Sequence, residues 1–317
     1  MAARETDPGT LFARALDGDR RSLARLLSMV ERGGESARQI GRLAYPRAGG
    51  AHTIGLTGAP GAGKSTLTSA LATVATKTGT RMAILAVDPS SPYSGGAILG
   101  DRVRMQDHAT SGDVYIRSMA TRGHLGGLSL ATPQAVRLLD AVGWPWLIIE
   151  TVGVGQAEIE IAGAADTTIV VVNPGWGDSV QANKAGLMEI ADIFVVNKAD
   201  REGAEATRRD ILQMLELSPP ADWVPPVVDT VAVDGRGVEE LWDQIARHRR
   251  HLQDSGDLAD RRRSRLESEL DEIVMRRLEV RAEELRRRAG LESPGELLVS
   301  EGVDPHSLAD RILGDLA

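Results

Sequence analysis

The chain has 317 residues, of which 42% are hydrophobic and 26% are charged, proportions typical of a soluble globular protein. Its net charge of −8 argues against a general binder of nucleic acids or anionic membranes. The absence of cysteine excludes disulfides and thiolate metal sites. Because residues 1–7 lack the apolar segment of a secretory signal, and no run of about 18 apolar residues is present, we expect a cytoplasmic protein without a transmembrane helix.

The first 50 residues have the apolar spacing of short helices. Leucine, isoleucine and valine recur three or four residues apart between Leu11 and Leu43. Glycines at Gly18 and Gly33 predict breaks between successive helices. We therefore predict a helical N-terminal segment over residues 1–50.

Apolar runs alternate with helical patterns over residues 51–250. The candidate strands are 52–57, 81–87, 114–118, 146–151, 167–173, 192–197 and 227–233. Several are apolar almost throughout and rich in valine and isoleucine, as strands buried on both faces of a parallel sheet are. We predict an α/β fold with a doubly wound, mostly parallel sheet and ligands at the carboxyl ends of its strands.

The composition changes after residue 250. Residues 258–289 are dense in arginine and glutamate and carry apolar side chains at helical spacing, which predicts a long amphipathic helix. A short helix is expected near 305–316. The apolar stripe could pack on its own domain or on a partner subunit, and the pattern alone leaves both open. The predicted C-terminal arm covers residues 251–317.

A phosphate-binding loop is the strongest motif of the chain. The pattern G-x-x-x-x-G-K-[ST] is met at every fixed position by Gly58-Ala59-Pro60-Gly61-Ala62-Gly63-Lys64-Ser65, with Thr66 following. A predicted strand precedes the loop and a predicted helix follows it. Glycines let backbone N–H groups turn toward a phosphate, and the helix N-terminus adds a positive dipole end. We expect Lys64 to contact the β- and γ-phosphates and Ser65 to ligate Mg²⁺.

A second motif predicts the base. Asn197-Lys198-Ala199-Asp200 follows a predicted strand and matches the N-K-x-D pattern of GTP-binding domains. A carboxylate accepts hydrogen bonds from guanine N1–H and the exocyclic amine, a donor pair that adenine lacks. We expect Asn197 to brace the loops and Lys198 to lie along the base. Backbone N–H groups placed to reach guanine O6 belong to Val231, Ala232 and Val233.

Acidic residues near strand ends predict a magnesium site. Glu150 lies in an E-x-x-G motif, where most GTPases carry D-x-x-G, and would hold Mg²⁺ through water while the Gly153 amide meets the γ-phosphate. Asp88 ends the second strand and Asp101 lies on the loop beyond, although turn-forming aspartates would give the same pattern. The predicted metal set is Ser65, Asp88, Asp101 and Glu150.

These motifs together resemble the metallochaperone-type branch of P-loop GTPases. Within that branch the chain is similar to the MeaB/MMAA group, also known as ArgK or LAO/AO transport ATPases. The resemblance covers nearly the whole chain and is carried by residues 58–66, 88–91, 100–101, 150–156 and 197–200. It implies GTP or GDP with Mg²⁺ as ligands, and a P-loop GTPase domain with helical extensions at both ends. One departure is Val231-Ala232, where the family pattern has Ser-Ala.

The resemblance also implies a biological role. Proteins of this group are GTPase chaperones of adenosylcobalamin-dependent methylmalonyl-CoA mutase, which gate cofactor loading and protect or reactivate the mutase. They form homodimers in which the C-terminal arm takes part. Cobalamin adenosyltransferase is a second expected partner, and neither nucleic acid nor membrane is expected. By the same resemblance, 88–104 and 150–162 would be switch loops, and 173–184 would be a loop that senses the partner.

The catalytic set is predicted as Lys64, Glu150 and Gln156. Gln156 is the candidate that orients the attacking water, although it falls three residues after Gly153 and not immediately after it. Two loop arginines, Arg102 and Arg104, could neutralise transition-state charge. Slow intrinsic hydrolysis, accelerated by a partner that orders these loops, fits this arrangement.

Two other functions remain open from the sequence. A nickel or zinc metallochaperone GTPase would need a metal-carrying cluster. Of the six histidines only His248 and His251 lie close enough in sequence to share a metal, and a solvated helix face explains them better. A transport-linked ATPase or kinase is the third class. Asp200 argues against it, because that carboxylate favours guanine.

Overall fold

The computed structural model describes residues 7–89, 112–121, 131–151, 161, 163–175, 186, 189–288, 295, 298–299 and 302–313. The chain divides into two compact units, Met1–Arg262 and Arg263–Ala317. The first unit contains the sheet and the site. The division into segments 1–50, 51–250 and 251–317 stays a prediction.

Seven parallel strands form one sheet in the order β3-β2-β4-β1-β5-β6-β7. Their bounds are β1 (His52–Thr57), β2 (Met82–Pro89), β3 (Val114–Thr121), β4 (Trp146–Thr151), β5 (Thr167–Val172), β6 (Ile193–Asn197) and β7 (Val227–Thr230). The strand order reverses at β1, which places the loop after β1 at the topological switch point where α/β sheets bind ligands. The doubly wound α/β prediction is confirmed.

The largest differences from the predicted strand ends are at β7, β2 and β3. Strand β7 ends at Thr230 and not at residue 233, because the Val231 amide donates to the Arg236 carbonyl at 3.0 Å and begins a turn. Strands β2 and β3 run further than predicted, because they pair with each other up to Pro89 and Thr121. The sheet is therefore longer at its β2–β3 edge and shorter at β7.

Helices cover both faces of the sheet. Their bounds are α1 (Pro8–Leu16), α2 (Arg20–Arg32), α3 (Gly34–Ala44), α4 (Lys64–Lys77), α5 (Ala131–Ala141), α6 (Ala204–Glu216), α7 (Val238–Ser255), α8 (Asp257–Arg288) and α9 (Pro305–Leu313). The first three helices share one apolar core with α5, β2 and β3. Helices α4 and α7 share the core of the opposite face. The predicted N-terminal helices thus form part of the first unit.

Strand side chains alternate between these two cores. On β2, Ala83 and Leu85 pack toward the N-terminal helices, whereas Met82 and Ile84 pack toward α4 and α7. Every one of these four side chains is fully buried. Period-two alternation with apolar residues on both faces explains why the strands appear as continuous apolar runs in the sequence.

Helix α8 exposes much of its apolar stripe. Leu266, Leu270, Val274 and Leu278 are 40–59% exposed, so these side chains are not packed into a core. A solvent-facing row of apolar side chains is typical of a protein interface.

Candidate functional site

The candidate site lies at the carboxyl edge of the sheet. The loop of residues 58–63 follows β1, Glu150 lies near the end of β4, and Asn197 ends β6. Strands β4 and β1 are neighbours, and β5 alone separates β1 from β6. Parallel strands therefore bring motifs that are far apart in sequence to one edge.

The fixed glycines of the loop meet close backbone and side-chain neighbours. Gly58 has φ +135°, and a Cβ there would lie 2.0 Å from the Val171 carbonyl oxygen. Gly63 has φ +95°, and a Cβ there would lie 2.3 Å from Asn197 Nδ2. Only glycine fits at both positions, because a side chain would collide and the backbone is left-handed. The loop is thereby pressed against β5 and the end of β6.

Lys64 is held over its own loop. Its ammonium donates to the Gly58 carbonyl at 2.5 Å and to the Ala59 carbonyl at 3.3 Å, and the residue is 7% exposed. Helix α4 begins at Lys64, so the helix N-terminus and its positive dipole end open onto the same loop. The Lys64 ammonium, the N-terminus of α4 and the backbone N–H groups of the loop lie together here, which is the environment that binds an anionic phosphate.

Ser65 and Glu150 form the described part of the predicted metal set. The Ser65 hydroxyl donates to Glu150 Oε1 at 2.5 Å. Glu150 is 1% exposed, which places a carboxylate at the base of the site beside the phosphate-binding loop. Hydroxyl and carboxylate oxygens are the donors that Mg²⁺ prefers, so these two residues fit that ion.

Asn197 joins two loops through three hydrogen bonds. Its Nδ2 donates to the Ala62 carbonyl at 2.8 Å, and its Oδ1 accepts from the Thr230 hydroxyl and the Ala232 amide, both at 3.1 Å. The side chain is buried. This one amide therefore fixes the phosphate-binding loop to the loop after β7, a bracing geometry that agrees with the expectation for Asn197.

Lys198 and Asp200 follow in a turn beyond β6. Lys198 is the one described non-glycine residue with positive φ, at +60°, and its ammonium donates to the Gly61 carbonyl at 2.7 Å. The Ala199 amide donates to the Thr230 carbonyl at 3.0 Å, which anchors the turn. Asp200 is exposed, so its carboxylate is open to a ligand from solvent.

The loop after β7 differs from expectation. Two of the three amides expected to reach guanine O6 already donate within the protein, the Val231 amide to Arg236 and the Ala232 amide to Asn197. Within the described residues, the amide of Val233 donates to no protein acceptor, and Val233 is 83% exposed. Val233 is thus the amide best placed for a ligand, because its neighbours hold the loop in shape.

Several predicted residues lie outside the described part of the chain. They are Asp101, Gly153 and Gln156, together with the loop arginines Arg102 and Arg104. Asp88 lies at the carboxyl end of β2 by its backbone, and its side chain is also outside the description. Their predicted roles stay predictions.

The sequence analysis missed a buried polar network at the amino edge of the sheet. Asp166 precedes β5 and accepts the Thr53 amide of β1 at 3.0 Å, and Asp192 precedes β6 and accepts the Thr168 amide of β5 at 2.7 Å. Both follow an alanine and directly precede a strand, a repeated signal that could have indicated them.

Two arginines at the start of α8 bind these aspartates. Arg261 donates to both oxygens of Asp192 at 2.9 and 3.1 Å. Arg262 donates to Asp166 at 2.7 Å and to the Gly49 and Ala51 carbonyls, both at 2.6 Å. Because Asp166 is fully buried, this pairing offsets the cost of burying its charge.

Two histidines complete the network. The Thr167 hydroxyl lies 2.8 Å from His52 Nε2 and 2.9 Å from His248 Nδ1, so it accepts from one ring and donates to the other. Burial lowers the pKa of His52 to about 3 and that of His248 to about 4, against the opposing pull of Asp166 and Asp192. Both rings are neutral at physiological pH.

His248 is not on a solvated face, contrary to expectation. Its ring is fully buried and lies 4.7 Å from the Trp223 ring, with the His251 ring 6.4 Å away. Among the described residues, no group of three histidine, cysteine, aspartate or glutamate side chains could hold a metal ion. No helix in the described part of the chain is long and apolar enough to cross a membrane.

Comparison with known proteins assigns the family. A family model described as "Methylmalonyl Co-A mutase-associated GTPase MeaB" matches residues 23–286. The chain belongs to the MeaB family. It is accordingly a P-loop GTPase, which confirms the expected enzyme class.

Individual relatives agree with this family. A relative from Pyrococcus abyssi is 49% identical over 310 residues, with 96% of each chain covered. GTPase ArgK of Escherichia coli is 38% identical over 255 residues, with 77% of each chain covered. The crystal structure of a LAO/AO transport system kinase matches this MeaB-family chain with a TM-score of 0.69 at 26% identity, covering 98% of both chains.

Proposed function

We propose that this MeaB-family GTPase controls the loading of adenosylcobalamin into methylmalonyl-CoA mutase, and protects or reactivates that mutase, through GTP hydrolysis. The family description, which associates such GTPases with the mutase, carries the proposal of the client. The braced geometry around Asn197 supports the nucleotide site. The proposal includes a cytoplasmic location and cobalamin adenosyltransferase as a second partner.

The nucleotide is proposed to be bound and oriented by groups of the chain itself. Lys64 would transfer its hydrogen bonds from the Gly58 and Ala59 carbonyls to the β- and γ-phosphates. The Asp200 carboxylate would accept from guanine N1–H and the amine, and Lys198 would lie along the base. The Val233 amide would donate to guanine O6. Gln156 is proposed to orient the attacking water.

Magnesium is proposed at Ser65 and Glu150, with Asp88 and Asp101 as further ligands or contacts to its waters. The paired oxygens of Ser65 and Glu150 support this assignment. When bound, the ion neutralises charge on the β- and γ-phosphates. Replacing Glu150 with glutamine should weaken nucleotide binding in Mg²⁺ more than in EDTA, as titration of a fluorescent GDP measures.

A homodimer is proposed through the exposed stripe of α8. Four apolar side chains 40–59% exposed on one helix support an interface between copies of the chain. A Leu270→Glu substitution should yield monomers in sedimentation velocity. The matched control is Leu217→Glu, which places the same charge at an 87% exposed leucine outside α8 and should leave the dimer intact.

The decisive experiment measures steady-state GTP hydrolysis with and without the cobalamin-dependent methylmalonyl-CoA mutase of the same cell, with ATP as control. We expect a rise of about tenfold, or about 1.4 kcal/mol off the barrier, with GTP alone. An unchanged rate together with no co-elution would contradict the mutase as client. An unchanged rate in Gln156→Ala, alone and with the mutase, would remove Gln156 from the mechanism.

A transport-linked kinase is the second candidate, favoured by the structural likeness to the LAO/AO transport system kinase. Competition of ATP against bound GDP separates the two. Failure of ATP to displace GDP would count against the kinase, whereas displacement at equal concentration would count against the guanine-specific site at Asp200.

A further inference from the structure

Four described tryptophans lie at the amino edge of the sheet. Trp144 precedes β4, Trp146 is its first residue, and the Trp223 indole donates to the carbonyl of Asp192, directly before β6. Trp242 of α7 lies 4.7 Å from Trp146. These tryptophans lie at the amino edge of the sheet, whereas the phosphate-binding loop lies at the carboxyl edge.

Guanidinium groups lie over three of these rings. The pairs are Arg81 over Trp144 at 4.5 Å, Arg249 over Trp146 at 4.8 Å and Arg247 over Trp223 at 5.7 Å. A cation over an aromatic ring is attracted by the negative face of the ring, and this contact uses none of the guanidinium N–H donors as hydrogen-bond donors to an oxygen. The ring contacts therefore favour placements of these three arginines in which their N–H donors stay available to a partner.

We define the arginine patch as Arg81, Arg247, Arg249 and Arg250. Arg81, Arg247 and Arg250 are exposed, and Arg249 is half-buried. Within the described ranges none of the four makes a salt bridge or donates a hydrogen bond.

The neighbouring arginines behave differently. Arg261 and Arg262 stand at the same edge, and both are bound to buried aspartates. The guanidinium groups of these two arginines already have carboxylate partners within the chain, so they are not part of the patch. The contrast indicates that the four unpaired guanidinium groups are not needed to neutralise the fold's own charges.

We propose that the arginine patch is a docking surface for an acidic protein surface, one that presents several carboxylates. Planar guanidinium donors match carboxylates in two parallel hydrogen bonds. Strands β1 and β4, with six residues each, separate this surface from the nucleotide site by roughly 20 Å, so both can be occupied together. The patch is a second interaction surface, independent of the GTPase site.

Protein carboxylates fit the patch better than a nucleic-acid backbone does. The net charge of −8 repels a long polyanion. Exposed acidic side chains also flank the patch, at Asp222, Asp243 and Asp254. A continuous row of phosphates would meet these charges, whereas separate carboxylates can lie between them.

The test uses the full chain and two probes of equal charge, a fluorescent oligoglutamate peptide and a thymidine oligonucleotide, titrated at low salt. We expect the chain to bind the peptide more tightly than the oligonucleotide, with affinity falling as salt rises. The variant R81Q/R247Q/R249Q should weaken peptide binding by about tenfold or more. GTP hydrolysis should stay unchanged in this variant, which separates the proposal from the nucleotide site.

Two controls protect the test. The variant R25Q/R32Q/R209Q removes the same charge from exposed arginines on α2 and α6 and should bind the peptide as the parent does. If the triple patch variant loses folding, Arg250→Glu reverses one charge without disturbing a stacked ring and should still weaken binding severalfold. Three outcomes would each overturn the proposal: no peptide binding by the parent, equal loss in both triple variants, or tighter binding of the oligonucleotide.

Discussion

The charged side chains at the two edges of the sheet have different kinds of partner. At the carboxyl edge, the ammonium groups of Lys64 and Lys198 donate to backbone carbonyls, which a ligand's oxygens can replace. At the amino edge, Asp166 is fully buried and Asp192 nearly so, and each is bound by an arginine and a backbone amide. A cation that is hydrogen-bonded to neutral carbonyls can exchange them for the oxygens of a substrate. A carboxylate that is buried with its counter-charge contributes instead to the stability of the fold.

This difference teaches where each kind of variant should act. Changes at the carboxyl edge should alter nucleotide binding and hydrolysis with little loss of stability. Changes at the amino edge should do the reverse. If one of the following predictions failed, the separation between functional effects at the carboxyl edge and stability effects at the amino edge would no longer hold.

Lys64→Ala should have the largest effect. Removing the ammonium that is proposed to contact the phosphates should lower GTP hydrolysis by about 10²–10³-fold, because a buried cation at developing charge is costly to lose. The melting temperature should change little. Lys77→Ala, at the exposed end of α4, is the matched control and should hydrolyse GTP at the parent rate.

Asp200→Asn should lower GDP affinity by about a hundredfold, or about 2.7 kcal/mol. An amide cannot accept from both guanine N1–H and the amine, so one donor loses its partner. Xanthosine diphosphate, which carries a carbonyl in place of that amine, should bind the variant better than GDP does. Equal GDP affinity in isothermal titration would show that Asp200 does not contact the base, and Asp222→Asn serves as the exposed control.

Arg262→Met should lower the free energy of unfolding by about 2–3 kcal/mol, because it removes a guanidinium that pairs with the fully buried Asp166. The expected loss is at the low end for a buried pair, since Arg262 is 27% exposed. Urea denaturation measures the effect, and Arg25→Met on the exposed face of α2 is the control. The KM for GTP should not move. A shift in KM without loss of stability would reverse the comparison.

Acid should destabilise the amino edge through His52 and His248. Their folded pKa values of about 3 and about 4 lie below the ordinary value of 6.5, so the unfolded chain binds protons that the folded chain does not. Stability is therefore full above pH 6.5 and falls as the pH drops toward 4. At pH 5 each histidine should cost about 2 kcal/mol.

Urea midpoints across this pH range measure that loss. His248→Gln should flatten the dependence, because it removes one of the two groups. His306→Gln, at an exposed histidine of α9, should leave the pH dependence unchanged. The same slope in all three proteins would show that carboxylates, and not the histidines, control acid stability.

Much of the carboxyl edge was predictable because its chemistry is local. The phosphate-binding loop and residues 197–200 are short, contiguous motifs, and each directly follows a strand. The sequence predicts glycine at Gly58 and Gly63, because the backbone N–H groups of the loop must turn toward a phosphate. It does not predict that a side chain at these positions would collide with Val171 and Asn197. Those contacts join residues over a hundred positions apart along the chain.

The end of β7 shows the limit of apolar patterns. Residues 227–233 form one apolar run apart from Asp229 and Thr230, so the pattern extended the strand through Val233. The chain turns after Thr230 because the Val231 and Ala232 amides find acceptors in Arg236 and Asn197. Hydrogen-bond partners, and not hydrophobicity, decide where that strand ends and which amide is left for a ligand.

The sequence by itself determined the family, the parallel α/β sheet and the loop that binds phosphate, because these depend on patterns within a few adjacent residues. Only the tertiary structure decided where β5 and β6 lie in the sheet, which aspartates bind the arginines at the start of α8, and which arginines have no carboxylate partner. Such pairings depend on strand order, and strand order brings together residues whose separation in sequence carries no sign of their contact.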